Sequence, residues 1–163
     1  MPRQFPGRAN ECYLHVWDEY GRLLYEDAVA ELSRAAADES APPDYRASLA
    51  ATLAMAGRPE DALWEYAFLL NRPASEPHGI DGIRKLLAAR AVSPTAACEA
   101  LRRVGVDRGP SRSLVALLSD VLADQAPSET VMALNDICDV WRNSEVALAA
   151  LAQTYQVTGQ ADQ

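Results

Sequence analysis

The stretch from Tyr45 to Leu70 reads YRASLAATLAMAGRPEDALWEYAFLL, and it decides the fold. Both ends of the stretch are rich in Ala and Leu, residues that favour helices, and their apolar side chains recur at helical spacing. Gly57 stands between them and can take the left-handed conformation that ends a helix, while Pro59 suits the first turn of the next helix. The stretch therefore predicts two helices joined by a tight turn.

The same unit recurs at a fixed interval. Glu26-Asp27-Ala28 and Glu60-Asp61-Ala62 are the same tripeptide 34 positions apart, and Gly57 and Gly159 are separated by three such intervals. Blocks of this length run without an insertion from residue 9 to residue 144, and a partial block follows. This period is typical of helix-turn-helix repeats, which bury their apolar faces by stacking. The alternative is an irregular helical bundle whose periodicity is a coincidence.

The second block resembles a tetratricopeptide repeat. The family's aliphatic, small, bulky, glycine, small, aromatic and late proline positions are met by Leu49, Ala50, Leu53, Gly57, Ala62, Tyr66 and, one residue early, Pro73. Arg46 stands where the family carries a tryptophan. The partial block matches at Leu151, Ala152, Tyr155 and Gly159, and the other blocks are degenerate. The resemblance implies an all-α fold, a right-handed superhelix (α-solenoid) of antiparallel helix pairs with about four and a half repeats. It would form one domain over residues 9–163, after a disordered leader over residues 1–8.

The resemblance also implies a concave groove, lined by the first helix of each pair, that holds a peptide or helix of a partner protein. The positions expected to face it are Tyr13, Trp17 and Tyr20; Ala47, Ala51 and Met55; Asp81 and Lys85; Val115, Ser119 and Leu122; and Gln153 and Gln156. The predicted partner-binding residues are Tyr13, Trp17, Tyr20, Ala51, Met55, Lys85 and Arg112. Large aromatic side chains dominate recognition at about 2 kcal/mol or more each, so the aromatic trio would be the anchor. The alternative is that Trp17 packs internally and closes the end of the array.

The charge is unevenly distributed. The chain carries a net charge of −8, yet residues 82–112 hold a basic island against only Glu99 and Asp107: Arg84, Lys85, Arg90, Arg102, Arg103, Arg108 and Arg112. The island is either a site for an acidic or phosphate-bearing partner or a solvated face paired with acids of neighbouring blocks. Nucleic acid is not an expected partner, because the chain is acidic and no aromatic residues alternate with the basic ones.

The sequence predicts a cytoplasmic protein that is not an enzyme and carries no cofactor or metal. Cys12, Cys98 and Cys138 lie on apolar helix faces and are expected to be buried, reduced thiols. Cys12 and His15 have the spacing of half a zinc site, but no second pair follows. No run of residues is apolar and long enough for a membrane span or a signal peptide.

The last helix, expected over residues 146–157, carries Leu148, Leu151, Ala152 and Tyr155 on one predicted apolar face, and part of that face would be uncovered. Either the chain is a segment of a longer protein or the helix is buried on a partner or a second copy. A homodimer through this helix is therefore one expectation. The other function considered is a regulatory or positioning segment of a larger enzyme or enzyme complex.

Overall fold

A computed structural model describes residues 23–37 and 42–159, and every regular element in these two ranges is helical. The predicted all-α fold class is confirmed. The helices are α1 over residues 23–36, α2 Pro43–Met55, α3 Pro59–Leu69, α4 Glu76–Ala88, α5 Pro94–Arg108, α6 Arg112–Ala116 with a π-helical continuation Leu117–Leu122, α7 Pro127–Val140 and α8 Glu145–Thr158. The two helices predicted around Gly57 closely match α2 and α3.

Prolines and serines mark where the helices begin. A proline opens α2, α3, α5 and α7, where its missing N–H group costs no helical hydrogen bond. Ser93, Ser111 and Ser144 cap α5, α6 and α8, each accepting a hydrogen bond from the backbone N–H three positions later at 3.1, 3.2 and 3.4 Å. Gly57 and Gly159 follow α2 and α8 with φ values of 77° and 71°. The local signals in the sequence therefore fix the helix boundaries.

The helices pack on their neighbours along the chain and on alternate helices. The closest neighbours are α2 with α3, α3 with α4, and α7 with α8, while α5 packs on α7 and on α3. Among the helices expected to come first in each pair, α2 packs on α4 and α6 on α8. In contrast, α4 and α5 are not among the closely packed pairs, although one block of the repeat pairs them. The described helices therefore pack side by side, but less regularly than a repeat of constant length predicts.

Two glycines allow α4 to lie directly against α3. A Cβ atom on Gly79 would stand 2.7 Å from the backbone oxygen of Tyr66, and one on Gly82 would stand 2.3 Å from the Tyr66 ring. Both glycines are buried, and the adjacent Ile83 is fully buried in the core. Glycine normally destabilises a helix interior, so its presence at these positions is explained by the close approach of the two helices.

Arg46 holds three helices together. Its guanidinium carbon lies 4.0 Å from the centroid of the Phe68 ring on α3. The same group donates to Glu65 Oε2 at 2.7 Å and to the backbone oxygen of Ala36, the last residue of α1, at 2.9 Å. A planar guanidinium can stack on an aromatic face while its edges donate hydrogen bonds, so this one side chain of α2 contacts both α1 and α3.

The contacts of Gly79 and Gly82 predict how strongly a methyl group added at each position destabilises the fold. We expect Gly79→Ala to lower the free energy of unfolding by about 1–3 kcal/mol, because a backbone oxygen cannot move away from the new Cβ. This loss would occur although alanine favours helices over glycine by about 1 kcal/mol. Urea unfolding monitored by circular dichroism measures it.

A double-variant comparison separates the two contacts. Tyr66→Ala removes the ring that Gly82→Ala would meet but keeps the backbone oxygen that Gly79→Ala would meet. Gly82→Ala should therefore lower the free energy of unfolding by less in the Tyr66→Ala background than in the wild type. Gly79→Ala should lower it by the same amount in both backgrounds. Equal costs in both backgrounds for Gly82→Ala would contradict the described packing.

Candidate functional site: a groove between α6 and α8

A groove of about 420 Å³ lies between α6, its π-helical continuation and α8. We name it the α6–α8 groove. Half of its lining residues come from α6 and its continuation and half from α8: Arg112, Val115, Ala116, Ser119 and Asp120, and Glu145, Val146, Ala149, Ala150 and Gln153. Its size falls within the range of ligand sites in proteins, about 300–1,000 Å³.

The period of the repeat aligns the two walls of this groove. Residues 112, 115, 116 and 119 on one wall correspond, 34 positions later, to residues 146, 149, 150 and 153 on the other, and all of them line the groove. Corresponding residues of two consecutive blocks therefore share one surface. The spacing that predicts the repeat also predicts which faces of α6 and α8 meet.

The groove has an apolar floor and a polar rim. Val115 and Ala150 are buried, 3 % and 6 % exposed, and small side chains continue the floor toward Ala149. Ser119 donates a hydrogen bond to Asp120 Oδ1 at 3.0 Å, and both residues belong to the π-helical segment. Such segments are rare and occur often at functional sites. The groove thus offers apolar contact area with mixed charges at its edge.

The structure separates the predicted partner-binding residues. Arg112 lines the α6–α8 groove. Ala51 and Met55 lie exposed on α2, Met55 at 60 %, and Lys85 lies on α4, where its Nζ pairs with Asp81 Oδ2 at 2.6 Å. The hydrogen bond to Asp81 raises the pKa of Lys85. None of these three residues lines the same groove as Arg112, because α4 and α6 do not pack closely. Tyr13, Trp17 and Tyr20 lie outside the described residues.

Two positions expected to face the groove on α6 and its continuation differ. Val115 lines the α6–α8 groove as a buried residue of its floor, whereas Leu122 is fully buried in the core and does not line it. On α8 the predicted apolar face is rotated, since the buried residues are Ala147, Ala150 and Thr154, while Leu148 is 47 % exposed. The Thr154 hydroxyl donates to the Ala150 oxygen at 2.8 Å, which satisfies its buried polar group. Small residues allow α8 to approach α6 and α7 closely.

The basic island is partly paired. Arg102 bonds Glu99 at 2.8 Å and Asp136, an acid of the following block, at 3.1 Å. Arg103 bonds Glu99 at 2.9 Å. The hydrogen bond from Arg102 lowers the pKa of Glu99, because it stabilises the ionised carboxylate. At Arg102 and Arg103 the island is therefore a solvated, paired face, as one of the two interpretations predicted.

A second cavity, of about 630 Å³, was not predicted. We name it the connector cleft, because it lies where the end of α3 meets the α5–α6 and α7–α8 connectors. It is lined by Asn71, Arg108, Gly109, Pro110, Ser111, Val140, Trp141, Arg142, Asn143 and Ser144. Arg108 and Arg142 are themselves 34 positions apart. That spacing was visible in the sequence, but nothing in the sequence showed that the two connectors converge.

Cys98 and Cys138 are buried thiols that form no disulfide, as predicted. Cys12 lies outside the described residues. Burial raises the pKa of both thiols. Cys98 Sγ lies 3.5 Å from Thr130 Oγ1, and Thr130 is fully buried. A raised thiol pKa lowers the thiolate fraction and so opposes nucleophilic chemistry. Over residues 23–37 and 42–159, no three His, Cys, Asp or Glu side chains are grouped closely enough to hold a metal ion.

Comparison of the chain with protein-family models, with curated proteins and with solved structures finds no match. What the protein binds must therefore be inferred from its own residues. Within the part of the chain that the structure describes, no helix has the length and apolar character needed to cross a membrane.

The buried Cys98 thiol predicts a pH dependence of stability. The pKa of Cys98 is raised in the folded state, so the protonated thiol stabilises the fold. This stabilisation is fully present below the ordinary thiol pKa of about 8.5. It is lost as the pH rises from that value to the pKa of the folded state. We expect the stability difference between the wild type and Cys98→Ala to shrink above about pH 8.5. Urea unfolding from neutral to alkaline pH measures it. A difference independent of pH would contradict the raised pKa.

Proposed function

We propose that this protein is a non-enzymatic scaffold that binds a peptide or helix of a partner protein, and that the α6–α8 groove is part of its binding surface. The observation that carries the proposal is the alignment of corresponding residues, 34 positions apart, on the two walls of one groove. Stacked helical repeats present extended surfaces of this kind to their partners. In this proposal the described helices form the later part of a tetratricopeptide-like superhelix.

The composition of the groove favours a polypeptide with apolar side chains. Its floor is made of small aliphatic residues, so a partner's larger side chains can enter without a clash. The carboxylates of Asp120 and Glu145 and the guanidinium of Arg112 stand at the rim, where charges set the orientation of a partner more than its affinity. An amphipathic helix or an extended segment with alternating apolar residues fits this pattern.

Two exposed alanines on α8 provide a matched test. Ala149 lines the groove, and Ala152, three positions later, is also exposed but does not line it. We expect Ala149→Trp to fill the groove and reduce partner capture more than about tenfold, because the loss of a central anchor contact costs about 2 kcal/mol. Ala152→Trp should retain capture. The measurement is affinity capture from the source cell's extract, quantified by mass spectrometry.

The outcomes of that experiment are distinct. A protein captured by the wild type and by Ala152→Trp, but lost from a folded Ala149→Trp, supports the groove. Equal capture by all three proteins would refute it. The Tyr13→Ala, Trp17→Ala double variant, run in parallel, tests whether the predicted aromatic anchor outside the described residues belongs to the same surface.

A homodimer through α8 is a second proposal, favoured by the apolar side chains that this helix leaves uncovered. Leu148 and Val157, which lie on opposite sides of the helix, are 47 % and 62 % exposed. A second copy that packs on either side would remove apolar surface from water. We expect light scattering at high concentration to give the mass of two chains.

The matching variant is Leu148→Glu with Val157→Glu, which should return the protein to the mass of one chain while leaving its helix content unchanged. A wild type that stays at the mass of one chain over the whole concentration range would contradict the dimer.

A further inference from the structure

The connector cleft carries positive charge on a protein that is otherwise acidic. Among the described residues, its lining includes the guanidinium groups of Arg108 and Arg142 and no aspartate or glutamate, whereas the whole chain has a net charge of −8. A concave site lined by charges of one sign attracts ligands of the opposite sign and raises their rate of association. The cleft therefore favours an anionic ligand.

The two arginines are held by separate anchors. The Arg108 guanidinium carbon lies 3.9 Å from the centroid of the Phe68 ring, so one face of the group is stacked. Arg142, one block later, extends from the α7–α8 connector, where its Nε donates to the Asp139 oxygen at 3.4 Å. Stacking orients a guanidinium while its donors stay in the plane of the group. Two cations fixed on different connectors suit successive carboxylates along a chain better than one compact anion.

One wall of the cleft is fixed by a hydrogen bond between distant parts of the chain. The Asn71 Nδ2 group, just after α3, donates to the oxygen of Gly109 on the α5–α6 connector at 3.1 Å.

Trp141 adds an apolar wall to the same cleft. Its Nε1 donates to the Val106 oxygen at 3.0 Å, which fixes the indole, and the side chain stays 40 % exposed. Tryptophan and arginine are both enriched among the residues that contribute most to binding between proteins.

The cleft also borders the α6–α8 groove. Ser111 lines the cleft, and the next residue, Arg112, lines the groove. In the same way Ser144 lines the cleft, and the next residue, Glu145, lines the groove. A polypeptide that lies in the groove can therefore continue into the cleft. This continuity rests on the proposed function, whereas the charge of the cleft does not.

We propose that the connector cleft binds an acidic segment of a partner polypeptide, with its carboxylates on Arg108 and Arg142. The test uses a short fluorescein-labelled peptide of glutamate and glycine, a glutamine counterpart and a phosphoserine counterpart of equal charge, with binding followed by fluorescence anisotropy. The proteins are the wild type, Arg142→Glu, and Arg84→Glu, which makes the same charge change at an exposed position on α4 outside the cleft.

We expect the glutamate peptide to bind the wild type and Arg84→Glu alike and to bind Arg142→Glu at least about tenfold more weakly, because Arg142→Glu removes a charged donor and places a like charge beside the peptide. Raising the salt concentration should weaken binding, and the glutamine peptide should not bind.

Equal weakening by Arg84→Glu and Arg142→Glu would overturn the proposal, since it would show attraction by net charge alone. Absence of binding to the wild type, or tighter binding of the phosphoserine peptide at equal charge, would overturn the assignment to carboxylates. The peptide assay contains no partner protein, so its failure is distinguishable from a failure of the capture experiment on the groove.

Discussion

In the part of the chain that the structure describes, each helix buries its apolar side against neighbouring helices, and this constraint governs the rest of the structure. A helix of this length is stabilised mainly by the helices beside it, as α3 is by α2, α4 and α5. Some residues that lie 34 positions apart come to line the same cavity. Arg112 and Val146 share the α6–α8 groove, and Arg108 and Arg142 share the connector cleft. Both cavities follow from the same stacking that forms the core.

Helix boundaries could be predicted from the sequence because they depend on short-range chemistry. Gly57 supplies a positive φ, and Pro59 begins the next helix without losing a hydrogen bond. Serine caps work in the same local way at α5, α6 and α8. The all-α class follows from these signals and from the Ala and Leu content. Of the predicted partner-binding residues, Arg112 lines the α6–α8 groove, and its part in binding stays a prediction.

Long-range packing explains where the prediction failed. On hydrophobicity alone, Leu148 is expected to be more buried than Ala147, yet Ala147 is fully buried and Leu148 is half exposed. The nearness of α6 and α7 decides this, because a close contact between helices admits small side chains and excludes large ones. The glycines of α4 act similarly, since they bring that helix against Tyr66 while α4 and α5 do not pack closely. The connector cleft combines residues from three separate parts of the chain, and no local pattern reveals such convergence.

The two surfaces differ in the physics of binding, and their shared border gives that difference a consequence. Charges in the cleft act over distances near the screening length, about 8 Å at physiological salt, and therefore chiefly raise the rate of association. The apolar floor of the groove acts only on contact and therefore chiefly lowers the rate of dissociation. Ser111 and Ser144 of the cleft are each followed directly by a residue of the groove, so in the two proposals one segment would occupy both surfaces. Binding of either part would then hold the other at a high local concentration, and two modest sites would suffice for stable capture.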